Sequence, residues 1–384
     1  MSDAIVLDAG EKPKLLIVTT VPVTISAFLL PYADHFRKLG WKVDAMAHDI
    51  TKSENLASHF DDLIDAEWSR SPLDLRNIIK NHGRIRELVC ERGYDIVHTH
   101  TPVASFVTRF ALRGLRMSGN PKVVYTAHGF HFCKGGRRTL NFIFRTLEKI
   151  AGRWTDKLIV INHEDFNSAK KYHIIDENSL VYMPGIGLDF STYSNREKQR
   201  CDILKIRAEL GLDDDDVLYS MIAEFIPRKR HKDAIAALSK TGNDKIHLAC
   251  AGDGKLMLEM KDLAQKLGVE KRVHFLGHVA DPRALIEASR ATIMPSEREG
   301  LSRASMESAC LAVPIIGSDA RGVYDIVQNH RGILFPTGDQ LALRDAMLQL
   351  FENRYPTVTP DPEWRIENLI KLHEELYGCL LEDH

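Results

Sequence analysis

The sequence predicts an α/β protein with two domains, each built on a parallel sheet. The chain has 384 residues, which is longer than one hydrophobic core usually supports, so two domains of about 180 residues are expected. Predicted helices alternate with predicted strands along the chain, the arrangement of a parallel sheet covered on both faces. Residues 14–20, KLLIVTT, form a continuous apolar run, as in a strand buried on both sides.

The composition is that of a soluble globular protein. Apolar residues make up 44%, charged residues 27%, and the formal net charge is −2, which argues against a general affinity for nucleic acid or membrane. Six scattered cysteines suit reduced thiols in a cytosolic protein better than a disulfide framework or a zinc site. The sequence has no signal peptide and no apolar run near the roughly 18 residues of a spanning helix, so we expect a cytoplasmic protein.

The first half of the chain repeats the pattern of a helix followed by a strand. Strands are predicted over 14–20, 43–47, 95–98, 122–127, 157–161 and 180–183, and helices over 32–39, 76–92 and 104–116. The segment 21–31 contains no glycine and is predicted to be a loop that opens the cleft. The GxGxxG fingerprint of dinucleotide-binding folds is absent, which weakens a dehydrogenase interpretation.

Histidines follow two neighbouring strands of this first half. His98 and His100 end one strand, and His128 and His131 follow the next. Ligand-binding groups belong at the carboxyl ends of strands in open α/β sheets, so these imidazoles are candidate site residues. No cysteine or carboxylate completes a ligand set, so we do not predict a metal site. For His98 and His100, a structural role in bonding loop backbone is an open alternative.

A predicted helix starting at Leu140 has an apolar stripe and many cations. The apolar residues at helical spacing are Leu140, Ile143, Phe144, Leu147, Ile150, Ala151 and Trp154. Between Lys134 and Lys157 the sequence has seven Lys or Arg residues against two acidic ones. In one interpretation, the helix packs its apolar stripe on the core and exposes its basic face to solvent. Alternatively, it is an amphipathic helix that docks on an anionic bilayer.

The second half is predicted to form another sheet after a charged linker, 191–216. Its strands are predicted over 217–223, 245–251, 272–275, 291–294, 313–316 and 332–335, with helices over 303–311 and about 364–381. A basic run after the first of these strands contains Arg228 and Lys229, and a loop with Gly254 follows the second. Such a run is ordinarily a solvated stretch at a helix start, but basic residues oppose the helix dipole there, so a phosphate-binding role stays open beside it.

Two glutamates eight positions apart, Glu299 and Glu307, lie between the predicted strands 291–294 and 313–316. Glu299 falls in the turn from strand to helix and Glu307 on the first turns of the helix, so both can face the crevice at the strand ends. Ser302 is the predicted N-cap, and the backbone N–H groups over 300–305 form an anion site. A diphosphate beside polyol-binding carboxylates matches the chemistry of a nucleotide sugar.

This pattern resembles the E-x7-E signature of the family-4 retaining glycosyltransferases, which have the GT-B fold. The resemblance continues through VPII-x-SD-x-RG over 313–322. It implies two facing Rossmann-like domains with parallel sheets and a C-terminal helix that crosses back to the first. The expected limits are 1–195 with 362–384 for the acceptor-binding domain and 196–361 for the donor-binding domain. Ala312 stands where relatives have glycine, and a left-handed alanine there costs about 1 kcal/mol.

The resemblance also implies roles for individual residues in the second domain. Glu307 would bind the ribose hydroxyls, Glu299 would hold the sugar hydroxyls, and Lys229 and Arg228 would neutralise the departing diphosphate. Glu224 stands where many relatives carry an arginine. A polysaccharide-synthesising subgroup often has a glutamate at this position too. Three groups of donor-binding candidates remain. Gly254 permits a tight turn at the cleft, and the backbone near His278 and Val279 would contact the nucleotide base. The backbone N–H groups of Gly300, Leu301 and Ser302 would donate to the sugar and phosphate.

In the first domain the resemblance places a substrate-contacting histidine at the position of His128. His128, Lys229 and Glu299 are therefore the predicted catalytic residues, with transfer that retains the anomeric configuration. The predicted acceptor-binding residues are Ser26, Phe28, His98, His131 and Lys134. Fixed cations take the place of a divalent ion in this interpretation, so no metal or other cofactor is expected.

The resemblance also bears on partners and location. The segment GFHFCKGG, 129–136, and the helix after it are similar to a subgroup that builds capsular and other lipid-linked glycans. We therefore expect a UDP-sugar donor, a polyprenyl-diphosphate-linked acceptor and a peripheral position on the inner face of the membrane through 134–157. No nucleic-acid partner is expected. Two alternatives stay open: a sugar-nucleotide 2-epimerase of the same fold, and a non-catalytic nucleotide-sugar-binding scaffold.

Overall fold

The structure is a computed structural model that describes residues 12–68, 76–115, 119–193, 196–328, 331–353 and 358–382. The chain divides into two compact units. Unit 1 comprises Met1–Ile161, Asp165–Pro184 and Glu367–His384, and unit 2 comprises Asn162–Glu164 and Gly185–Ile366. Residues 162–164, 185–193 and 362–366 are predicted to lie in the first domain but belong to unit 2. Within this unit Leu188 pairs with Arg365.

Unit 1 is built on a seven-stranded sheet whose paired strands are all parallel. Its strands are β1 Lys14–Val18, β2 Lys42–Ala47, β3 Asp62–Asp65, β4 Ile96–His100, β5 Lys122–Ala127, β6 Lys157–Val160 and β7 Leu180–Tyr182. They lie in the order β3-β2-β1-β4-β5-β6-β7. Leu15 of β1 pairs with Val43 on one side and with Ile96 on the other, so the strand order reverses at β1.

Unit 2 is built on a six-stranded parallel sheet. Its strands are β8 Val217–Ile222, β9 Ile246–Ala251, β10 Val273–Gly277, β11 Ala291–Met294, β12 Ile315–Ser318 and β13 Gly332–Phe335. They lie in the order β10-β9-β8-β11-β12-β13, so the strand order reverses between β8 and β11. Ligands bind outside the carboxyl ends of strands at such a reversal, which directs attention to the loops after β8 and β11.

Helices connect these strands. They are α1 Pro22–Phe28, α2 Leu30–Lys38, α3 Arg76–Arg92, α4 Pro102–Leu112, α5 Arg138–Gly152, α6 His163–Tyr172, α7 Arg196–Glu209, α8 His231–Ser239, α9 Met257–Lys266, α10 Arg283–Ala288, α11 Arg303–Cys310, α12 Tyr324–Val327, α13 Gln340–Glu352 and α14 Ile366–Glu382. Six of these helices (α2, α3, α4, α5, α11 and α14) fall where helices are predicted from the sequence. The predicted bounds of α3, β5, β11 and β13 agree with the structure to the residue, which confirms those elements.

The prediction of a loop over 21–31 is wrong, because α1 occupies most of it. Pro22 stands in the first turn, where its fixed φ suits a helix start and its missing N–H is not needed. Ile25 and Leu29, one helical turn apart, are both buried, so tertiary packing holds the helix. The edge strand β3 was not predicted, because its sequence DLID carries acids at both ends.

The C-terminal helix α14 packs in unit 1, as the predicted fold class requires. The ring of Tyr377 lies 4.9 Å from that of Phe36 in α2, and both side chains are buried. Leu369 and Leu380 are also buried on this face. At the surface, His35 Nε2 lies 3.1 Å from a carboxylate oxygen of Glu374. The helix therefore completes the core of the unit that contains the N-terminal strand.

The residue after the end of α11 shows the strain that the sequence predicts. Ala312 has a φ of 60°, in the left-handed region. Glycine adopts this conformation without cost, whereas a residue with a Cβ pays roughly 1 kcal/mol. The expectation of a left-handed alanine at this position is confirmed.

Candidate active site

Three loops of unit 2 meet at the carboxyl ends of its central strands. The Glu299 amide after β11 donates to the Arg321 carbonyl at 3.0 Å, and Arg321 Nε donates back to the Glu299 carbonyl at 3.2 Å. Gly322 follows with a φ of 73°, and a Cβ added there would lie 2.2 Å from the Gly300 carbonyl oxygen. Only glycine therefore allows the loop after β12 to lie this close to the loop that carries Glu299.

The loop after β8 brings two cations to the Glu299 carboxylate. Lys229 Nζ lies 2.7 Å from Oε1, and Arg228 Nη1 lies 3.3 Å from Oε2. We call Arg228, Lys229 and Glu299 the Glu299 cluster; it carries a net charge of about +1 because its two cations face one carboxylate. Oε1 of Glu299 is buried, and Lys229 Nζ is the cation that pairs with it.

Glu299 is ionised in this environment although it is only 8% exposed. Burial by itself raises the pKa of a carboxyl group, because a charged group loses its hydration. The charges of Lys229 and Arg228 outweigh this effect, and the net result is a pKa below the ordinary value for glutamate. The carboxylate can therefore accept hydrogen bonds from hydroxyl groups at neutral pH.

Backbone and side-chain bonds fix the positions of the two cations. The Glu297 amide donates to the Arg228 carbonyl at 2.8 Å, which joins the loops after β8 and β11. Arg230 has a φ of 56°, and its Nη1 donates to Oε1 of Glu297 at 2.8 Å. The chain therefore turns sharply after Lys229 and presents that residue to the carboxylate. The Arg228 side chain is 39% exposed, so it can also reach an anionic ligand.

A cavity of 460 Å³, which we call the strand-end cavity, opens at the carboxyl ends of β8, β9 and β10. It is lined by Ile222, Ala223, Glu224, Ala251, Gly252, Asp253, Gly254, His278 and Val279. Four of these residues, Glu224, Gly254, His278 and Val279, are donor-binding residues predicted from the sequence, and the structure brings them together in one space. A cavity of this size is typical of small-molecule sites.

Glycines shape the strand-end cavity. Gly252 has a φ of 143°, and a Cβ there would lie 2.2 Å from the Ala223 carbonyl oxygen. Gly254 has a φ of 150°, and a Cβ there would lie 2.6 Å from the Phe225 amide nitrogen. The loop after β9 therefore lies directly against the backbone after β8. The Phe225 amide donates to the Asp253 carbonyl at 2.8 Å and holds the two loops together.

The first turn of α11 forms the remaining part of the site. Ser302 is the N-cap, and its hydroxyl accepts the Ser305 amide at 3.3 Å, which confirms the predicted cap. Gly300 and Leu301 precede this cap, so their amides lie at the positive end of the helix dipole. Glu307 is 7% exposed, and its Oε1 accepts hydrogen bonds from Arg303 Nε at 2.9 Å and Tyr193 Oη at 3.1 Å.

Sequence reasoning missed both partners of Glu307. Arg303 stands four residues before Glu307 on the same helix, so the ion-pair spacing could have revealed it. Tyr193 lies more than a hundred positions away on a short turn, Phe190–Tyr193, and no sequence pattern points to that contact. Arg321 was likewise seen only as part of a motif, although it binds the Glu299 loop.

In unit 1, the predicted residue His128 is half-buried beside a group of buried imidazoles. His128 Nε2 is 3.1 Å from His100 Nδ1, and its ring is stacked on Phe28 at 5.9 Å. Burial lowers the pKa of His128 to about 4, and it lowers the pKa values of His98 and His100 well below the ordinary value. At neutral pH these rings are therefore neutral and act as hydrogen-bonding groups.

The predicted acceptor-binding residues occupy different environments. His98 is buried, with Nδ1 bonded to the Tyr377 hydroxyl and Nε2 2.7 Å from Thr126 Oγ1, contacts that favour its structural alternative. His131 lies 5.0 Å from the Phe144 ring. Ser26, on α1 near Phe28, and Lys134 are exposed. An acceptor role for any of these residues stays a prediction.

Helix α5 exposes much of its apolar stripe. Leu140, Ile143 and Ile150 are between 38% and 42% exposed, and Phe142 is 60% exposed. Ala151 of the stripe is buried with Gly152 and Glu148, and Glu148 accepts Arg109 Nη2 of α4 at 2.9 Å. Phe144 of the stripe packs against the core, so α5 buries part of its stripe and exposes the rest, and both interpretations of α5 stay open. Among the helices that the structure describes, none combines the length and apolarity needed to cross a bilayer.

Both units of the chain match known protein families. Residues 202–368 match the family described as Glycosyl transferases group 1, and residues 27–189 match Glycosyltransferase Family 4. The chain is 34% identical over 344 residues to the putative glycosyltransferase EpsD of Bacillus subtilis, covering 88% of this chain and 87% of that protein. The chain belongs to the family-4 glycosyltransferases.

Two further similarities concern this glycosyltransferase. It is 28% identical over 316 residues to the UDP-Gal:alpha-D-GlcNAc-diphosphoundecaprenol alpha-1,3-galactosyltransferase of Escherichia coli, covering 79% of each chain. Its fold is similar to that of HepE from Anabaena in complex with UDP, with a TM-score of 0.78, 18% identity, and coverage of 96% of this chain and 100% of that chain. The structural similarity confirms the predicted two-domain α/β fold class, GT-B.

Proposed function

We propose that this glycosyltransferase moves a sugar from a UDP-sugar to a polyprenyl-diphosphate-linked glycan, with retention at the anomeric carbon, during synthesis of a surface polysaccharide or glycoconjugate. The observation that carries the proposal is the Glu299 cluster: an ionised, buried carboxylate with two cations at the carboxyl ends of β8 and β11. The name of the Escherichia coli relative supports this donor and acceptor class. The complex of HepE with UDP supports uridine as the base.

The donor nucleotide fits the strand-end cavity and the first turn of α11. His278 and Val279 line the cavity, where backbone groups can pair with a base. Glu307 offers an anionic acceptor for the ribose hydroxyls, and hydrogen bonds to a charged group contribute roughly 1.5–3 kcal/mol. Glu224 and Gly254 line the same cavity.

The Glu299 cluster suits the diphosphate and the transferred sugar. Lys229 and Arg228 supply fixed positive charge for a leaving diphosphate, whose negative charge grows as the glycosidic bond breaks. The backbone of Gly300, Leu301 and Ser302 adds donors at a helix N-terminus. Glu299 accepts hydrogen bonds from sugar hydroxyls and so orients the anomeric carbon. Because protein cations neutralise the leaving group, we propose that transfer needs no divalent ion.

The proposed chemistry is a front-face substitution. The bond from the anomeric carbon to the phosphate oxygen breaks, and the acceptor hydroxyl oxygen forms the new bond on the same face. The departing phosphate oxygen takes the proton of that hydroxyl, so no protein base is required. His128, neutral because burial lowers its pKa to about 4, would serve as a hydrogen-bonding contact to the sugar. Positioning and charge stabilisation then account for most of the rate.

A lipid-linked acceptor requires contact with a membrane surface, and α5 suits that contact. Its exposed apolar residues, Phe142 above all, can enter the headgroup region, while Arg138 and Lys149 are exposed beside them. Each cation near an anionic surface contributes about 1 kcal/mol of attraction. We therefore propose a peripheral position on the cytoplasmic face of the cell membrane.

The experiment that tests this function begins with a thermal-shift screen of nucleotide sugars, because a ligand in excess of its dissociation constant stabilises the folded protein. The selected donor is then incubated with an undecaprenyl-diphosphate-linked sugar, and the product is analysed by mass spectrometry and NMR. We expect a new α-linkage from an α-linked donor. An inverted product contradicts retention, and a sugar epimer formed from donor alone identifies the 2-epimerase alternative.

Glu299→Gln provides the matched test of the site. Loss of the negative charge leaves Lys229 and Arg228 without their carboxylate, so we expect turnover to fall at least about a hundredfold while the protein stays folded. The control is Glu270→Gln, which neutralises an exposed carboxylate just before β10, at the opposite end of the sheet. Absence of transfer by the wild type in vitro, together with unchanged function of Glu299→Gln in cells, would instead support the non-catalytic scaffold.

A further inference from the structure

The short turn Phe190–Tyr193 packs against α11 and contacts Glu307. Tyr193 Oη donates to Oε1 of Glu307 at 3.1 Å, and Arg303 Nε donates to the same oxygen at 2.9 Å. A carboxylate oxygen has two lone pairs, so these two donors saturate Oε1. Within the described part of the chain, no side chain donates to Oε2, which leaves that oxygen for a ligand.

The same turn is bonded to the rim of the strand-end cavity. Arg283 Nη1 donates to the Thr192 carbonyl at 2.5 Å, and Arg283 also pairs with Asp281. Asp281 lies on the loop between β10 and α10, after the cavity-lining residues His278 and Val279, and Arg283 is the first residue of α10. The turn therefore links the wall of the cavity to the Glu307 carboxylate.

We propose that Tyr193 is a positioning residue for nucleotide binding: it holds Glu307 so that Oε2 accepts the ribose hydroxyls. The proposal rests on the proposed function, in which Glu307 binds the ribose. A carboxylate that is already fixed loses less rotamer freedom when the ligand binds, so the free energy of binding improves.

The environment of Tyr193 keeps its hydroxyl a donor. Burial, together with the charge of Glu307, raises the pKa of Tyr193 above its ordinary value, so the phenol stays protonated at neutral pH. A protonated phenol next to an ionised carboxylate has one favourable orientation, with the O–H toward the carboxylate oxygen. The turn thus fixes both the position and the direction of this hydrogen bond.

The test is a double-mutant cycle with UDP as the probe, measured by isothermal titration on the full chain. Tyr193→Phe removes one hydroxyl, and we expect UDP affinity to fall about fivefold, as for loss of a single hydrogen bond. In the Glu307→Gln background the same substitution should change affinity less than about twofold, because the effect passes through the carboxylate. Thr192→Val is the matched control on the same turn, since its hydroxyl donates to the Asp189 carbonyl and, among the described residues, makes no contact with Glu307.

A second ligand separates positioning from general damage to the fold. Wild type should prefer UDP over 2′-deoxyuridine diphosphate, because the deoxy ligand leaves Oε2 without one hydroxyl. Tyr193→Phe should reduce that preference, whereas a merely structural defect would weaken both ligands equally. The thermal midpoint of unfolding, measured for each variant, checks that it is folded.

The outcomes distinguish the inference from the function on which it rests. If Glu307→Gln weakens UDP binding but Tyr193→Phe does not, the positioning role is overturned and the ribose role stands. Equal losses from Tyr193→Phe in both backgrounds also overturn the positioning role. If Glu307→Gln binds UDP as wild type does, the ribose role of Glu307 itself is wrong, and the role of Tyr193 falls with it.

Discussion

Lys229→Met tests whether the Glu299 cluster depends on compensation of a buried charge. Methionine keeps the length of the lysine side chain but removes the ammonium group, which lies 2.7 Å from Oε1 of Glu299. Arg228 remains at 3.3 Å, but its side chain is 39% exposed, so water screens its charge. The carboxylate is only 8% exposed and cannot recover the lost interaction from solvent.

The size of the effect follows from the distances. At an effective dielectric constant of about 20, two unit charges 2.7 Å apart attract by roughly 6 kcal/mol. Removing one partner of a buried pair usually costs about 3–5 kcal/mol. Because Arg228 stays in place, we expect Lys229→Met to lower the free energy of unfolding of unit 2 by about 3 kcal/mol at pH 7.

The sign of the pH dependence follows from the pKa of Glu299. In wild type this pKa is lowered, so the cluster stabilises unit 2 above the ordinary glutamate value and the contribution is lost as pH falls through the folded pKa. In Lys229→Met, burial is no longer opposed by the nearer cation, so the pKa of Glu299 rises. The variant carboxyl then protonates first on acidification, and the stability difference from wild type should shrink from pH 7 to pH 5.

Amide hydrogen exchange measures this effect in unit 2 alone, through the protected amides of β8 and β11. Adding Glu299→Gln to Lys229→Met should restore part of the loss, because a neutral amide needs no counter-charge. Lys232→Met, an exposed lysine on α8, is the matched control. A loss below about 1 kcal/mol, or a double variant no more stable than Lys229→Met, would refute the argument that the buried charge controls stability.

Three further predictions concern other parts of the molecule. Gly322→Ala should reduce donor binding and turnover at least about tenfold, since the new Cβ would lie 2.2 Å from the Gly300 carbonyl oxygen and displace the Glu299 loop. Titration with UDP measures donor binding, and steady-state assays measure turnover. Reversing the charges of Arg138 and Lys149 on α5, and of Arg137 just before it, should abolish co-sedimentation with anionic liposomes. Burial lowers the pKa values of His128 and His373 to about 4, so unit 1 should lose stability as pH falls from about 6.5 toward 4. The loss should reach up to about 1.4 kcal/mol per pH unit for each histidine, and acid unfolding followed by hydrogen exchange measures it.

Each of these predictions has a control. Gly211 also has a positive φ, 65°, but among the described residues, apart from its two chain neighbours, none has an atom within 4 Å of an added Cβ. Gly211→Ala should therefore cost about 1 kcal/mol without affecting donor binding. Charge reversal at Lys52, Arg84 and Arg86, which are exposed on other elements of unit 1, should leave liposome binding intact. His373→Leu should flatten the acid dependence by about one proton; an unchanged slope would contradict the role of burial.

Much of the fold could be predicted because the hydrophobic period is local. The continuous apolar runs of β5 and β11 and the stripe of α3 mark these elements without knowledge of their neighbours. Helix α1 and strand β3 could not be predicted in this way. Packing of Ile25 and Leu29 decides the first, and edge pairing with β2 decides the second. Those contacts join residues far apart in sequence.

The candidate site shows the same limit. The E-x7-E spacing and the glycines of the strand-end loops are local, and the sequence therefore indicates Glu299, Glu307 and Gly254. The hydrogen-bond partners of a carboxylate depend on tertiary contacts. Sequence spacing therefore predicts neither the contact of Tyr193 with Glu307 nor that of Arg321 with the Glu299 loop. The exposure of Phe142 also depends on which face of α5 the rest of unit 1 covers, which the helical period cannot specify.

The return of α14 to unit 1 has a consequence for biosynthesis. Apart from Asn162–Glu164, unit 2 is one continuous segment, Gly185–Ile366, and all of it leaves the ribosome before α14 does. Unit 1 starts with the first strand made but still needs Tyr377, which bonds His98 and packs on Phe36. Domains fold as units during translation, so unit 1, which is begun before unit 2, is completed after it. A nascent chain that stops near Ile366 would carry a complete unit 2 and a unit 1 whose core is still open.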